Sequence, residues 1–284
     1  MSDSALRAKI AQKVAAHVAR EHGRDALREE YPNYVRELKD NLAPGILVDD
    51  FRGDFEGGDG SELVSSGGRP GKLLAVHSSS ALVVNTFSPY CREPASLSLA
   101  ERSGFSYACF EKKLRTGLGG TPPNLDFYAI GPEAVVAAES KFTEVLSRKA
   151  ANFSESYAKA VTELADERWM QMYHSLCAEP GRFRYLDAAQ LVKHYLGIRH
   201  SLVDEEAPKA LIYLFWEPAN WPEVPVFSRH RSEVLEFSMA VAGGEVEFTA
   251  MSYQELWDSW EQLGAWEGAE ARLQYLRERY VFDV

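Results

Sequence analysis

"PNLDFYAIGPEAVVAAESK", residues 123–141, combines the pattern of a β-hairpin with charged side chains that a hairpin does not need. An apolar run from Leu125 to Ile130 leads into Gly131-Pro132, and a second apolar run, Ala134 to Ala138, follows. Two apolar runs separated by a short Gly/Pro turn are typical of adjacent antiparallel strands. We therefore predict a half-buried hairpin at this point of the chain.

Three ionisable residues, Asp126, Glu139 and Lys141, lie inside or beside the two apolar runs. A three-residue connection between the strands places Asp126 opposite Ala138, whereas a four-residue connection places it opposite Glu139. Both connections make Asp126 and Glu139 cross-strand neighbours, with Cβ atoms roughly 4.5–8 Å apart. Because side chains alternate along a strand, Glu139 and Lys141 share one face. The hairpin is thus predicted to bring two carboxylates and one ammonium together.

Two neighbouring carboxylates repel each other, so the pair of Asp126 and Glu139 requires compensation. A shared proton, a salt bridge to Lys141 and a bound divalent cation would each supply it. A cation such as Mg²⁺ accepts one or two carboxylates, lowers the pKa of bound water and screens a phosphate. Lys141 could then orient or deprotonate that water, or stabilise developing negative charge. Alternatively, Glu139 and Lys141 form a solvent-exposed ion pair on an edge strand and have no catalytic role.

Composition limits the class of protein. The chain of 284 residues has 45% hydrophobic and 26% charged residues, which is ordinary for a soluble globular protein. A net charge of −11 argues against binding that depends mainly on non-specific phosphate attraction. The three cysteines, Cys91, Cys109 and Cys177, are widely spaced and form no CxxC pair. The N-terminal residues lack the apolar core of a signal peptide. No apolar stretch is long enough to span a membrane. We expect a cytoplasmic protein.

The flanking sequence predicts a mixed α/β domain. Residues 1–45 are predicted to form an N-terminal helical segment, and residues 46–284 a main domain that ends in helices, the two making one compact unit. Helices are expected at 4–22, 24–42, from Ser78–Ser80 onward, after a Ser154 cap, after an Asp187 cap, and near 253–264 and 267–279. Strands are expected at 105–114, 209–218 and, at a sheet edge, 245–253, and a long loop at 52–71.

Common functional motifs are absent from the sequence. GGRPGKLL, residues 67–74, lacks the first glycine of a phosphate-binding loop and has Leu73 where a Ser or Thr is required. DFEGGDGSEL does not alternate acidic residues as a calcium loop does, and the histidines do not have zinc spacing. The carboxylates of the hairpin therefore remain the strongest candidate site.

The hairpin resembles the PD-(D/E)XK nuclease superfamily. Asp126 follows a Gly/Pro loop and opens a strand, and Glu139-Ser140-Lys141 ends the next strand, although two residues separate Pro123 from Asp126. The segments HSSSALVVNTF, FEKKLRTGLGGTPPNLD, ESKFTEVL and QLVKHYLG with KALIYLFW resemble a bacterial restriction-endonuclease-like family over roughly residues 48–218. The resemblance implies a restriction-endonuclease-like core, in which helices flank a mixed central sheet, with added N- and C-terminal helices.

The resemblance also implies a catalytic site. In the superfamily the Asp and Glu bind Mg²⁺ or Mn²⁺ and the Lys assists the attacking water, which assigns these roles to Asp126, Glu139 and Lys141. Relatives often add a glutamate from the helix before the first strand, but SSSALVVNTF contains no acidic residue. Glu111 is the best substitute as a catalytic metal ligand, and Glu144 is a weaker one.

The implied function is a Mg²⁺-dependent endodeoxyribonuclease of restriction or phage-defence type, acting on DNA. The alternatives are a non-catalytic nucleic-acid-binding or assembly module on the same fold, and an unrelated metal-dependent hydrolase. Gln190, Lys193, Lys113 and Arg115 are candidates for contacts to the site or to DNA. A homodimer would supply two sites for cutting two strands, and the sequence identifies no methyltransferase partner.

Overall fold

A computed structural model describes residues 1–57, 62–65, 67–120, 122–264 and 269–284. A five-stranded sheet forms its centre, with the strands side by side in chain order. The strands are β1 (Tyr107–Lys113), β2 (Asn124–Ile130), β3 (Val135–Lys141), β4 (Lys209–Phe215) and β5 (Val246–Ser252). The pairs β1–β2 and β2–β3 are antiparallel, whereas β3–β4 and β4–β5 are parallel. The sheet is therefore mixed, and β3 lies at its centre.

The predicted hairpin is confirmed as β2 and β3. Ile130 pairs with Val135 and Phe127 pairs with Ala138, so the connection has four residues and not three. Gly131 N–H donates to the carbonyl of Ala134 over 2.9 Å and closes the turn. Continued by one step, this register places Asp126 opposite Glu139, as the four-residue alternative predicted.

Helices cover both faces of the sheet. In the described residues the α-helices are α1 (Asp3–His22), α2 (Arg52–Gly57), α3 (Ser79–Arg92), α4 (Ser156–Leu164), α5 (Glu167–Ala178), α6 (Ala188–Ser201), α7 (Pro225–Val241), α8 (Tyr253–Gln262) and α9 (Ala269–Tyr280). One hydrophobic core joins α1, α3, α8 and α9 to one face of the sheet, and a second joins α4, α5, α6 and much of α7 to the other. Alternate residues of the central strands enter the two cores, which explains why the strands are apolar throughout.

The N-terminal segment belongs to the first of these cores. Ile10 and Val14 of α1 are fully buried in the same cluster as Leu276 and Tyr280 of α9. The buried guanidinium of Arg279 donates to the backbone carbonyl of Asn41 over 3.1 Å and also to the Asn41 side chain. Residues 1–45 and the C-terminal helices thus share one interior.

Some of the secondary-structure elements predicted from the sequence are wrong. The helix expected at 24–42 is absent, because Pro32 interrupts it, and two short 3₁₀ turns, Arg24–Ala26 and Leu38–Asn41, stand in its place. Residues 52–57 of the expected loop form α2, while residues 58–61 and 66 of that loop lie outside the described residues. Helix α7 is not predicted from the sequence.

The single helix expected after Ser154 is also wrong, because it is divided into α4 and α5. Asp166 accepts hydrogen bonds from the backbone N–H groups of Arg168 and Trp169 and so starts a new helix. The other caps agree with the sequence: Ser78 begins α3 and Asp187 begins α6. None of the helices within the described ranges is long and apolar enough to cross a membrane.

Candidate active site

A cavity of about 690 Å³ opens where β2 begins and β3 ends. Its walls include Asp126, Glu139, Lys141, Glu111 and Gln190, all of them predicted from the sequence as site or site-contacting residues. The antiparallel hairpin explains their proximity, because the first residues of β2 lie beside the last residues of β3. The structure therefore places both carboxylates and the lysine around one space.

Glu139 lies between two cationic or titratable side chains. Its Oε1 accepts a short hydrogen bond from Nζ of Lys141, and its Oε2 lies 2.8 Å from Nε2 of His194. Burial opposes the charged form of Glu139, but Lys141 and His194 outweigh it and lower the pKa of this carboxyl to about 2. Glu139 is consequently ionised at neutral pH.

Lys141 is largely buried yet remains an ammonium. Burial works against its charge, but the carboxylates of Glu139 and Asp126 raise its pKa above the ordinary value. Its Nζ also donates to Oε1 of Gln190 over 2.9 Å. Gln190 therefore contacts Lys141, and its role in the site stays a prediction. A lysine in this state can orient water or stabilise negative charge, but it is a poor proton acceptor.

Asp126 is held by the backbone of the neighbouring strand. Its Oδ2 accepts a 2.6 Å hydrogen bond from the N–H of Ser140, the residue between Glu139 and Lys141. Burial, followed by the charge of Glu139, raises the pKa of Asp126 despite the attraction of Lys141. An ionised Asp126 is therefore electrostatically unfavourable without a further positive charge.

Glu111 completes a row of acidic residues across the sheet. The pairs Phe110–Phe127 and Lys112–Leu125 place it opposite Asp126. Its φ of +50° departs from strand geometry, and its Oε2 accepts from Asn124 Nδ2 over 2.7 Å. Burial raises its pKa to about 7, with the hydrogen bond from Asn124 opposing and Glu62 and Glu139 adding to the shift.

Two further carboxylates meet the start of α3, where the sequence had offered no acid. Glu144 accepts from Ser79 Oγ over 2.9 Å and from the N–H of Phe142. Glu62 accepts from Ser80 Oγ over 3.2 Å and pairs with Lys72. Both carboxylates line the cavity. Glu62 was not foreseen, because its segment has no regular pattern that would locate it.

Comparison with known families gives one result. A model of the family described as restriction endonuclease associating with ARP matches residues 10–281. The chain belongs to this family. No curated protein and no solved structure gives a significant match. The predicted resemblance to restriction endonucleases and the predicted mixed α/β core are thereby confirmed, and a nuclease of restriction type is the function that the family supports.

The other predicted contacts lie outside the cavity. Lys113, Arg115 and Lys193 are not among the described residues that line the cavity. Lys193 instead stands over the aromatic rings of Phe153 and Tyr157, with Nζ 5.5 and 5.6 Å from their centroids. Gln190 alone of the four candidates thus reaches the site in the described structure.

The basic run Arg229-His230-Arg231 is largely occupied by contacts within the protein. His230 is buried and lies 3.0 Å from the hydroxyl of Tyr213. Arg231 pairs with Glu217 and Glu255. His230 and Arg231 are therefore engaged within the protein, whereas the side chain of Arg229 is 57% exposed.

His194 was missed as a site residue by sequence reasoning. It follows Gln190 by four positions on α6, which places both side chains on one helical face. That spacing, together with the prediction that Gln190 contacts the site, was the signal that could have found it.

The donor set fits a divalent cation held by few protein ligands. In the described ranges, no three His, Cys, Asp or Glu side chains are grouped closely enough to form a metal cluster. Mg²⁺ needs only one or two carboxylates and takes its other ligands from water and phosphate. When all three are ionised, Asp126, Glu139 and Glu111 carry more negative charge than Lys141 neutralises, and burial together with the charge of Glu139 raises the pKa of Asp126. That Glu111 supplies a third protein ligand to the cation stays a prediction.

Proposed function

We propose that the protein is a Mg²⁺- or Mn²⁺-dependent endodeoxyribonuclease. The observation that carries the proposal is the convergence of Asp126, Glu139 and Lys141 on one cavity of a restriction-endonuclease-like core. Asp126 and Glu139 would hold the cation, and DNA would supply the phosphate. When bound, the cation supplies a water of lowered pKa and screens the phosphate charge.

The protein side chains then have separate tasks. Lys141, kept protonated by Glu139 and Asp126, orients the attacking water and stabilises negative charge that develops on the phosphate oxygens. Gln190 fixes Lys141 through the 2.9 Å hydrogen bond to its Nζ. Glu111, with a pKa raised to about 7 by burial, is positioned to accept a proton or to add a ligand oxygen.

The side walls of the cavity suit the sugar-phosphate chain of DNA. Arg7 of α1 and the start of α3 both line it. Arg7 donates to the carbonyl of Thr143 over 3.0 Å and to Ser147 Oγ over 2.6 Å, which holds its guanidinium beside the end of β3. Cationic side chains in this position bring phosphate to the carboxylates despite the net charge of −11.

A direct test is cleavage of supercoiled and linear DNA with Mg²⁺ or Mn²⁺. Wild type, Lys141→Ala and Asp126→Ala are compared, with Lys159→Ala as a control because its side chain is 77% exposed on α4. We expect metal-dependent cleavage by wild type and Lys159→Ala and loss of at least about 10²-fold in both site variants. Cleavage that survives both site substitutions contradicts the assignment.

A second candidate is a DNA-binding or assembly module without catalysis. It is favoured by one observation, that both oxygens of Glu139 already have partners, Lys141 and His194. The family description also states an association with ARP, so we propose that this chain associates with ARP. DNA binding without cleavage under all metal conditions, together with complex formation with ARP, would favour this candidate.

A further inference from the structure

Helix α6 and strand β3 meet through two matched pairs of side chains. Gln190 and His194 are four residues apart on α6, and Lys141 and Glu139 are two apart on β3. Gln190 accepts from Lys141 over 2.9 Å, and His194 lies 2.8 Å from Glu139. One face of the helix thus contacts both members of the Glu-x-Lys motif.

The two oxygens of Glu139 have different surroundings. Glu139 and Lys141 both line the cavity, whereas His194 is not among the described lining residues. The side chains of His194 and Glu139 are only 1% and 3% exposed. Oε2 therefore faces the interior beneath the site, and Oε1, which Lys141 contacts, is the oxygen on the cavity side.

A buried carboxylate turns toward whatever donors surround it, because an unpaired charged oxygen is costly. With a donor only at Lys141, both oxygens of Glu139 would compete for the same ammonium. The N–H of His194 occupies Oε2 from behind and fixes the plane of the carboxylate. Removing a residue that orients a metal ligand in this way typically lowers metal affinity 10- to 100-fold.

We infer that His194 is a positioning residue, which holds Oε2 of Glu139 so that Oε1 is presented to a cation in the cavity. The inference rests on the proposed function, since it concerns the same carboxylate. His194 touches neither substrate nor cation in this arrangement. It acts only through Glu139, and its effect depends on an N–H group at the position of Nε2.

Three substitutions of His194 and one control substitution test this requirement. His194→Phe keeps the ring and removes the N–H, whereas His194→Gln restores an N–H close to the position of Nε2. His194→Asn carries the same amide on a shorter side chain that does not reach Oε2. His174→Phe, on the exposed side of α5, is the control for losing a histidine.

The measurements are Mn²⁺ affinity by calorimetry without DNA, kcat and KM for cleavage, and melting temperature without metal. We expect His194→Phe and His194→Asn to weaken Mn²⁺ binding about 10-fold or more and to lower kcat with little change in KM for DNA. His194→Gln should stay within about threefold of wild type in Mn²⁺ affinity, because it retains the donor.

The outcomes separate the inference from the proposed function. Wild-type Mn²⁺ affinity and kcat in both His194→Phe and His194→Asn overturn the inference alone. If His194→Phe does not fold, equal Mn²⁺ affinities of the Gln and Asn variants overturn it as well. A wild-type protein that neither binds Mn²⁺ nor cuts DNA overturns the proposed function and the inference together.

Discussion

The carboxylate of Asp126 accepts a 2.6 Å hydrogen bond from the backbone N–H of Ser140. This contact continues the hairpin beyond its last regular pair, Phe127 with Ala138, and fixes Asp126 beside the Glu-x-Lys motif. Ser140 is fixed in turn on the opposite side of the strand, where its Oγ lies 2.6 Å from the hydroxyl of Tyr253. The position of Asp126 therefore depends on the packing of α8 as well as on the hairpin.

Asp126→Asn should stabilise the protein when no metal is bound. Burial and Glu139 raise the pKa of Asp126, so the folded state loses stability as pH rises from the unfolded pKa through the folded one. The neutral amide keeps an acceptor oxygen for Ser140 and removes this penalty. Calorimetry with a chelator at about pH 8 should show a melting temperature higher by about 2–4 °C.

Added Mg²⁺ provides the control for that prediction. The cation should stabilise wild type by binding the folded state, and Asp126→Asn much less, so the difference shrinks or reverses. A variant that melts below wild type in chelator would show that the negative charge of Asp126 is already compensated within the protein.

Glu111→Gln should remove a step in the pH dependence of the metal requirement. Because burial raises the pKa of Glu111 to about 7, the group is protonated below that pH and ionised above it. In wild type the half-saturating Mg²⁺ concentration should fall as pH rises from about 6 to 8, by up to about tenfold per pH unit below the pKa. Cleavage titrations at several pH values measure it.

The variant offers a clear contrast. Glu111→Gln should need more Mg²⁺ at about pH 8, and its requirement should change less over the same pH range. An identical pH profile in the two proteins would exclude Glu111 as a ligand and as a proton acceptor.

Much of the sheet and part of the site could be predicted from local sequence. Alternation and the Gly131-Pro132 turn located β2 and β3, and the Glu-x-Lys spacing placed Glu139 and Lys141 on one face. The sequence does not determine the turn length, which decides whether Asp126 opposes Glu139, because both lengths suit a Gly/Pro turn.

The remaining site residues come from contacts that local sequence does not encode. His194 lies 55 residues from Glu139 along the chain, and Ser80 lies 18 from Glu62. The sequence does not predict helix α7 although Pro225 marks its first turn, because the polar residues His230 and Glu233 occupy two of its buried positions. The sequence predicts one long helix across Asp166, because a break by a capping side chain leaves the apolar pattern nearly unchanged.

Glu233→Ala should destabilise the fold by about 3 kcal/mol. Glu233 is buried on α7, and its Oε2 accepts from the backbone N–H groups of Arg184, Tyr185 and Leu186 at 3.0, 2.8 and 3.1 Å. Its removal leaves these donors without their acceptor. Urea unfolding measures the loss, which should appear in the midpoint with an unchanged slope.

Glu236→Ala is the matched control, since Glu236 lies on the same helix and its side chain is 46% exposed. Its pairing with Arg182 at the surface should contribute less than about 1 kcal/mol. Equal effects of the two substitutions would show that the three backbone donors find other acceptors.

Gly131→Ala should strain the hairpin that carries the site. A Cβ at this position would overlap the carbonyl oxygen of Gly104 and approach Cα of Phe105 within 2.8 Å. We expect a loss of about 1–3 kcal/mol in unfolding free energy, because backbone atoms must move to admit the methyl group. Gly181→Ala serves as the control, since nothing lies within 4 Å of its added Cβ. A stable Gly131→Ala protein would contradict the tight packing of this turn.

The four-residue turn also offers a place for a spectroscopic reporter. Pro132 and Glu133 are exposed, and they lie at the opposite end of the strands from Asp126, at least about 14 Å away along β2. A fluorophore on Glu133→Cys, in a chain whose exposed Cys177 is replaced by Ser, would be rigidly coupled to the hairpin without entering the cavity. Its anisotropy would follow DNA association in real time, independently of strand scission.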